Sequence, residues 1–178
     1  MGCFFVLSTS AQSTCGAYLT AQDFVSGKLY GLYLPKKGSK PSDEGLIEKK
    51  HLVLDNSGAK LRVDQKDVYA LRCSDGRIIR MFHDGRYTLL DPGESILLYV
   101  VKVYPAAKGD CLRARYYFSK DAGSDIEDLT LDNIKMVYGG NPKFFDALET
   151  EFRSDNELFA FDKTHNCYKL SRVYAASN

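Results

Sequence analysis

Tryptophan is absent from this chain, and histidine is scarce, with three residues (His51, His83 and His165) in 178. Scattered histidines, with no H-E-x-x-H and no C-x-x-C, make no zinc or dithiol motif, so no metal and no cofactor is expected. Charge of one sign is lacking too, since 24 Lys and Arg stand against 23 Asp and Glu for a net +1. Nucleic acid is therefore not an expected partner, because binding it rests on an excess of cations. No stretch approaches the ~20 consecutive apolar residues of a membrane-crossing helix, so no transmembrane segment is expected. What remains is 44% hydrophobic and 26% charged, the balance of one globular domain with a real core. Its aromatics are 12 Tyr and 10 Phe, which favour sheets and sheet–helix cores.

The N-terminus points to a compartment. Cys3-Phe4-Phe5-Val6-Leu7 is followed by small residues and by Ala11-Gln12-Ser13, the tail of a secretory signal peptide with a cleavage point after Ser13. On this reading residues 1–13 are a signal-peptide remnant and 14–178 a single domain, exported to the periplasm or secreted. The apolar run is shorter than an h-region of roughly 7–15 residues, and no Lys or Arg precedes Lys28. Either the chain begins inside the true signal or the run is an ordinary N-terminal strand, so the true start stays open. A lipoprotein is not expected, since Gln12-Ser13-Thr14 before Cys15 is not a lipidation signal. Cleavage would leave Cys15, Cys73, Cys111 and Cys167, enough for two disulfides in any of three connectivities.

Punctuation gives the elements. Thr20 to Asp23 has capping-box spacing and opens a short helix through Phe24 and Val25 that stops at Gly27. Lys28–Leu34 alternates as a strand, and residues 35–45 read as a surface loop. From His51 to Ser119, runs rich in β-formers are separated by Asn56-Ser57-Gly58, Asp75-Gly76, Asp84-Gly85 and Asp91-Pro92-Gly93. Asp-Gly between such runs is a hairpin signal, because the turn needs positive φ. Six or seven antiparallel strands in a meander, curling into a partly closed barrel, are expected over about 28–119.

After Phe118 the period turns helical. Thr130 caps a helix with Ile134 and Val137. Asn141-Pro142 opens another carrying Phe145, Leu148 and Phe152, Ser154 to Glu157 is a capping box, and Thr164 opens a last helix with Cys167, Leu170 and Tyr174 on one face. Phe145, Leu148, Phe152, Leu170 and Tyr174 are expected in the core. Strands first and three to four C-terminal helices after, across about 130–176, define an α+β fold.

Chemistry is harder to find. Cys73, His83 and Asp84 could be read as nucleophile, base and orienter, but turn chemistry alone explains Asp84. His165 and Cys167 do not share a helix face. Asp121, Asp125, Glu127, Asp128 and Asp132 have the acidity of a calcium loop without its D-x-D-x-D-G order. No catalytic residue is assigned. A basic constellation stands out instead, in which Arg72, Arg113, Arg115 and Tyr117 are the candidate ligand-binding residues, with Arg62, Arg77, Arg80 and Arg86 on neighbouring strands. The plainer account is the solvated face of an amphipathic sheet. Arg80, sharing a face with Ile78 and Phe82, is expected to be partly buried, held by a carboxylate or carbonyls, and structural.

Several short motifs together carry a resemblance. Tyr18-Leu19-Thr20 with Asp23-Phe24 and Gly27-Lys28-Leu29, Val68-Tyr69 with Asp75-Gly76 and Arg80, Asn141-Pro142-Lys143-Phe144, and Arg172-Val173-Tyr174 are similar to a family of uncharacterised exported proteins of Bacteroidota-type bacteria. The resemblance covers nearly all of the chain after the signal remnant. It implies export, one domain and no known activity. The residues and the resemblance together lead to a non-enzymatic exported domain, either a binding module or an envelope-assembly component, whose partner is an envelope protein or an anionic ligand. The alternative is a hydrolase acting on an envelope or extracellular polymer, with acids drawn from distant positions.

Overall fold

A computed structural model describes residues 15–32, 50–56, 58–93, 95–103 and 113–178. The signal remnant (1–13), the loop at 35–45, the turn at 105–110 and Cys111 lie outside the described residues. Ten strands form one antiparallel sheet: β1 (Gly16–Tyr18), β2 (Tyr30–Leu32), β3 (His51–Asn56), β4 (Ala59–Asp64), β5 (Ala70–Arg72), β6 (Ile78–Phe82), β7 (Gly85–Leu89), β8 (Leu97–Val103), β9 (Arg113–Ser119) and β10 (Glu127–Asp128). Their order is β10-β9-β8-β7-β6-β5-β1-β2-β3-β4, so the meander β5 to β10 is joined to β2 to β4 through β1. The two end strands do not pair, and the sheet stays open rather than forming the expected partly closed barrel. Residues 65–69 alone link β4 to β5, four places away in the order. Six Cα steps reach about 21 Å, little more than the ~19 Å that four strand spacings require. The β1–β5 portion must therefore curl, and Ala17, Leu52, Leu54, Val68 and Leu71 pack together within the curl.

Turn chemistry sets which side chains share a face. The β6–β7 hairpin pairs Phe82 with Gly85, so its two-residue turn is His83-Asp84 rather than Asp84-Gly85, with His83 at φ 49°. Between β5 and β6 the expected two-residue turn at 75 and 76 is instead a three-residue loop, Ser74-Asp75-Gly76. The amide of Cys73 donates to the Arg77 carbonyl, and Gly76 sits at φ 89°. That one extra residue pairs Arg72 with Ile78 and Ala70 with Arg80, which puts Arg72 and Arg80 on the same face.

Four α-helices complete the fold. α1 (Ala21–Val25) carries the expected capping box: the Thr20 hydroxyl accepts from the Asp23 amide, and the Asp23 carboxylate accepts from the Thr20 amide. α2 (Leu131–Val137) and α3 (Pro142–Glu151) are capped by Thr130 and Asn141, whose side-chain oxygens accept from the Asn133 and Phe144 amides. α4 (Lys169–Ala176) starts later than expected. Thr164 lies in a turn of a small hairpin, β11 (Phe161–Asp162) with β12 (Cys167–Tyr168), because the Asp162 carboxylate accepts from the Thr164 and His165 amides. Ser154 makes no side-chain cap. Glu157 instead accepts from the Arg153 amide, so the capping box there is not formed and the segment is one 3-10 turn, Asp155–Glu157.

α2, α3 and α4 pack on one sheet face, where Ile96, Leu98, Phe118, Ile134, Phe144, Leu148, Phe152 and Leu170 form the main core, while Phe24 of α1 packs on the other. Within α3 the core position belongs to Phe144, fully buried, while Phe145 is only partly so, and Tyr174 is likewise half-buried. The spacing that matters is Phe144, Leu148 and Phe152, a strict i+4 series.

Candidate functional site

The sheet face opposite the helices carries Leu89, Leu97 and Tyr99, packed with Tyr87, Tyr117 and Ile78 and bordered by α1 and the turn after β9. Arg80 lies in the middle of this face, 4% exposed and the one charged side chain in the core among the described residues. One terminal nitrogen donates to the Tyr99 hydroxyl (2.9 Å) and the Ser119 hydroxyl (3.1 Å), and the other to the Ser124 carbonyl (2.7 Å). The guanidinium carbon is 4.9 Å from the Tyr69 ring centroid and 5.5 Å from that of Phe82. The expected carbonyl partner is there. No carboxylate among the described residues comes within ion-pair distance, so the cation is held by dipoles and aromatic faces.

Those bonds fasten the 119–126 segment over the sheet. Ser119 donates to the Asp121 carbonyl, and the Tyr69 hydroxyl donates to the Ala122 carbonyl at 2.8 Å. Burial pushes the Tyr69 phenol up to about 12, so it stays protonated and remains a donor. The turn closes on Asp121, whose carboxylate accepts from the Ser124 hydroxyl and from the Gly123 and Ser124 amides. These bonds, the Ser124 hydroxyl foremost, hold Asp121 below the usual carboxylate range.

Between this turn and α1 opens a cleft of about 520 Å³. Its apolar walls are Tyr18, Phe24, Val25, Ile78, Pro92 and Leu97, and its polar groups are Arg72, Ser95, Lys120 and Asp121. Phe24 is fixed edge-on to Tyr18 (5.4 Å) and tilted against Tyr69 (5.7 Å), whereas Val25 is 67% exposed. Arg72 is half-buried; its Nε, like that of Arg80, is shut off from solvent, and no hydrogen bond among the described residues engages its terminal nitrogens.

The four sequence candidates are not gathered at one place. Arg72 enters the cleft. Tyr117 is half-buried in the aromatic layer, its ring 5.0 Å from that of Tyr87. Arg113 and Arg115 are exposed along β9, four strand positions from β5. Arg115 lines a separate hollow with Tyr116, Asp128, Asp155 and Phe159. Sequence reading missed Phe24, Val25, Pro92, Leu97 and Lys120 as site residues. The single hint was Val25, an apolar residue in a five-residue helix with no buried position.

Catalytic arrangements do not assemble among the described residues. Cys73 is buried opposite Arg77 at one end of β6 and His83 is exposed at the other, about 20 Å apart at strand rise. No disulfide joins Cys15, Cys73 and Cys167 to one another. Asp162 accepts from the His165 ring at 2.7 Å on an exposed turn. The carboxyls that shift, Asp75, Asp121, Glu149 and Asp162, all shift downward, away from the protonated state a general acid needs. No group of three or more His, Cys, Asp or Glu among the described residues is placed to hold a metal. No described helix is long and apolar enough to cross a membrane.

By fold and site the chain is an α+β domain with helices on one face of an open sheet and a cationic, aromatic-walled cleft on the other. Comparison of the chain with protein-family models, with curated proteins and with solved structures finds no match.

Proposed function

We propose that this chain is a non-enzymatic, exported binding domain whose ligand occupies the cleft between α1 and the 119–126 turn. The observation that carries the reading is Arg72, which lines a cavity otherwise walled by Phe24, Ile78 and Leu97 and whose terminal guanidinium nitrogens no hydrogen bond among the described residues engages. An incoming acceptor completes what the fold leaves unpaired, and apolar walls supply burial for the rest of a ligand. A cleft of about 520 Å³ lies within the usual size of small-molecule sites. The signal-like N-terminus, and the resemblance of short motifs to those of exported bacterial proteins, are what support this compartment.

Titration of the full chain with anilinonaphthalene sulfonate, an anionic aromatic probe, tests the cleft. Saturable fluorescence at one site, lowered about ten-fold in affinity by Arg72→Gln with unchanged circular dichroism, is the expected result. Non-saturable binding, or binding indifferent to Arg72→Gln, removes the reading. Export is tested by N-terminal sequencing of protein from the native envelope fraction. A start at Thr14 is expected, and an intact Met1 in the cytosol rules export out.

A further inference from the structure

We infer that the cleft selects an amphipathic monocarboxylate, a single planar carboxylate on an apolar chain or ring; this rests on the cleft being the binding site. Three features lead there.

The first is the geometry of the free donor. The two terminal N–H groups of a guanidinium form an end-on fork that matches the two oxygens of a carboxylate. Arg72 lines the cleft and its terminal nitrogens are engaged by no hydrogen bond among the described residues, unlike the terminal nitrogens of Arg80, which are committed to Tyr99, Ser119 and Ser124.

The second is the charge count. Arg72 and Lys120 line the cleft together with Asp121, which stays ionised because its own turn donates to it. The Lys120 ammonium lies over the Tyr138 ring of the helix-side core (5.9 Å) and Asp121 is engaged by its own turn, so Arg72 supplies a single positive charge for the ligand to meet. A dianionic phosphate would bring its second charge up against Asp121, which disfavours it. Arg80, bonded to the Ser124 carbonyl on the inner side of the same turn, adds a buried positive charge without a carboxylate counterpart.

The third is the wall. Val25 is 67% exposed at the mouth, with Phe24, Pro92, Ile78 and Leu97 inside. A sugar or a free inorganic anion would leave that surface wet. A hydrocarbon chain or ring covers it.

The test uses the full chain and four probes of one chain length: decanoate, decanol, decyl phosphate and decyltrimethylammonium, each below its micelle concentration, displacing anilinonaphthalene sulfonate. Decanoate is expected to bind at least about ten-fold more tightly than decanol or the quaternary amine. Arg72→Gln is expected to remove that advantage while leaving decanol within about two-fold, and Arg72→Lys to restore only part of it because the fork is lost. Asp121→Asn, which keeps the oxygen that accepts from Gly123 and Ser124, is expected to strengthen decyl phosphate relative to decanoate. Equal affinity for decanoate and decanol overturns the inference, as does a tighter decyl phosphate in the unmutated chain. If the sulfonate probe saturates at an Arg72-dependent site that decanoate fails to enter, the binding domain stands and the carboxylate assignment falls. If the sulfonate probe itself does not bind, both fall.

Discussion

Arg72 pairs across from Ile78 and Arg80 across from Ala70, so both side chains leave the sheet on the side away from the helices. They differ in what meets them. Arg80 finds two hydroxyls, a carbonyl and aromatic rings, so its cost of burial is offset within the fold. Removing it leaves the Ser124 carbonyl without its donor, leaves the Tyr99 and Ser119 hydroxyls with only each other and the Asp121 carbonyl, and opens a cavity beneath the 119–126 turn. Arg80→Ala is therefore expected to lose about 2–4 kcal/mol in urea denaturation, against under about 0.5 kcal/mol for Arg113→Gln on exposed β9. A loss below ~1 kcal/mol at Arg80 would mean that the hydroxyls and carbonyl find water once the guanidinium is gone.

Among the elements, α3 gives the sharpest contrast between pattern and packing. Two adjacent phenylalanines fit a helical repeat, and sequence spacing alone selects Phe145, because 145, 148 and 152 recur at i+3 and i+4. The cap decides otherwise. Asn141 accepts from the Phe144 amide and Pro142 sets the first turn, which rotates Phe144 inward onto Tyr138 and Tyr174 at ring distances of 5.4 and 5.0 Å. Phe144→Ala is expected to cost about 3–5 kcal/mol and Phe145→Ala about 1 kcal/mol, measured by thermal or urea unfolding. Equal losses would mean that the helix can roll to bury either ring. The strands between His51 and Ser119, the caps of α1, α2 and α3, and the burial of Arg80 were legible because each is fixed by residues close in sequence or by alternation. What was not legible depends on distant partners or on turn length. β1 has three residues and no alternation, and it is a strand only because β2 and β5 flank it. The Asp162 turn hid a hairpin inside what reads as a helix start. The cleft joins Phe24, Arg72 and Lys120 from three separate segments, and the Ser74 insertion that aligns Arg72 with Arg80 is one residue in a loop.

For the whole molecule, β1 is the seam. It pairs with β5 on one side and β2 on the other, so the β2–β4 unit is joined to the main sheet through three residues near the start of the described chain. Its closeness to β2 leaves no room at Gly16, where a Cβ would stand 2.6 Å from the Tyr30 carbonyl oxygen and 2.7 Å from the Leu29 side chain. Gly31, directly across the ladder from Gly16, has nothing within 4 Å of the same added atom and no positive φ. The same substitution should thus have opposite effects at two paired positions. Gly16→Ala must push backbone from backbone and is expected to destabilise by about 2–3 kcal/mol. Gly31→Ala is expected to be neutral or to stabilise by about 0.4–1 kcal/mol, because it only trims the freedom of the unfolded chain. Hydrogen exchange read alongside urea unfolding separates the causes: in Gly16→Ala the amides of β2 and β3 should lose protection before those of β8 and β9, since the seam gives way while the helix-packed core holds. Uniform loss across all strands would mean that β1 is no boundary, and that the curled unit and the helix-covered sheet fold and fail as one.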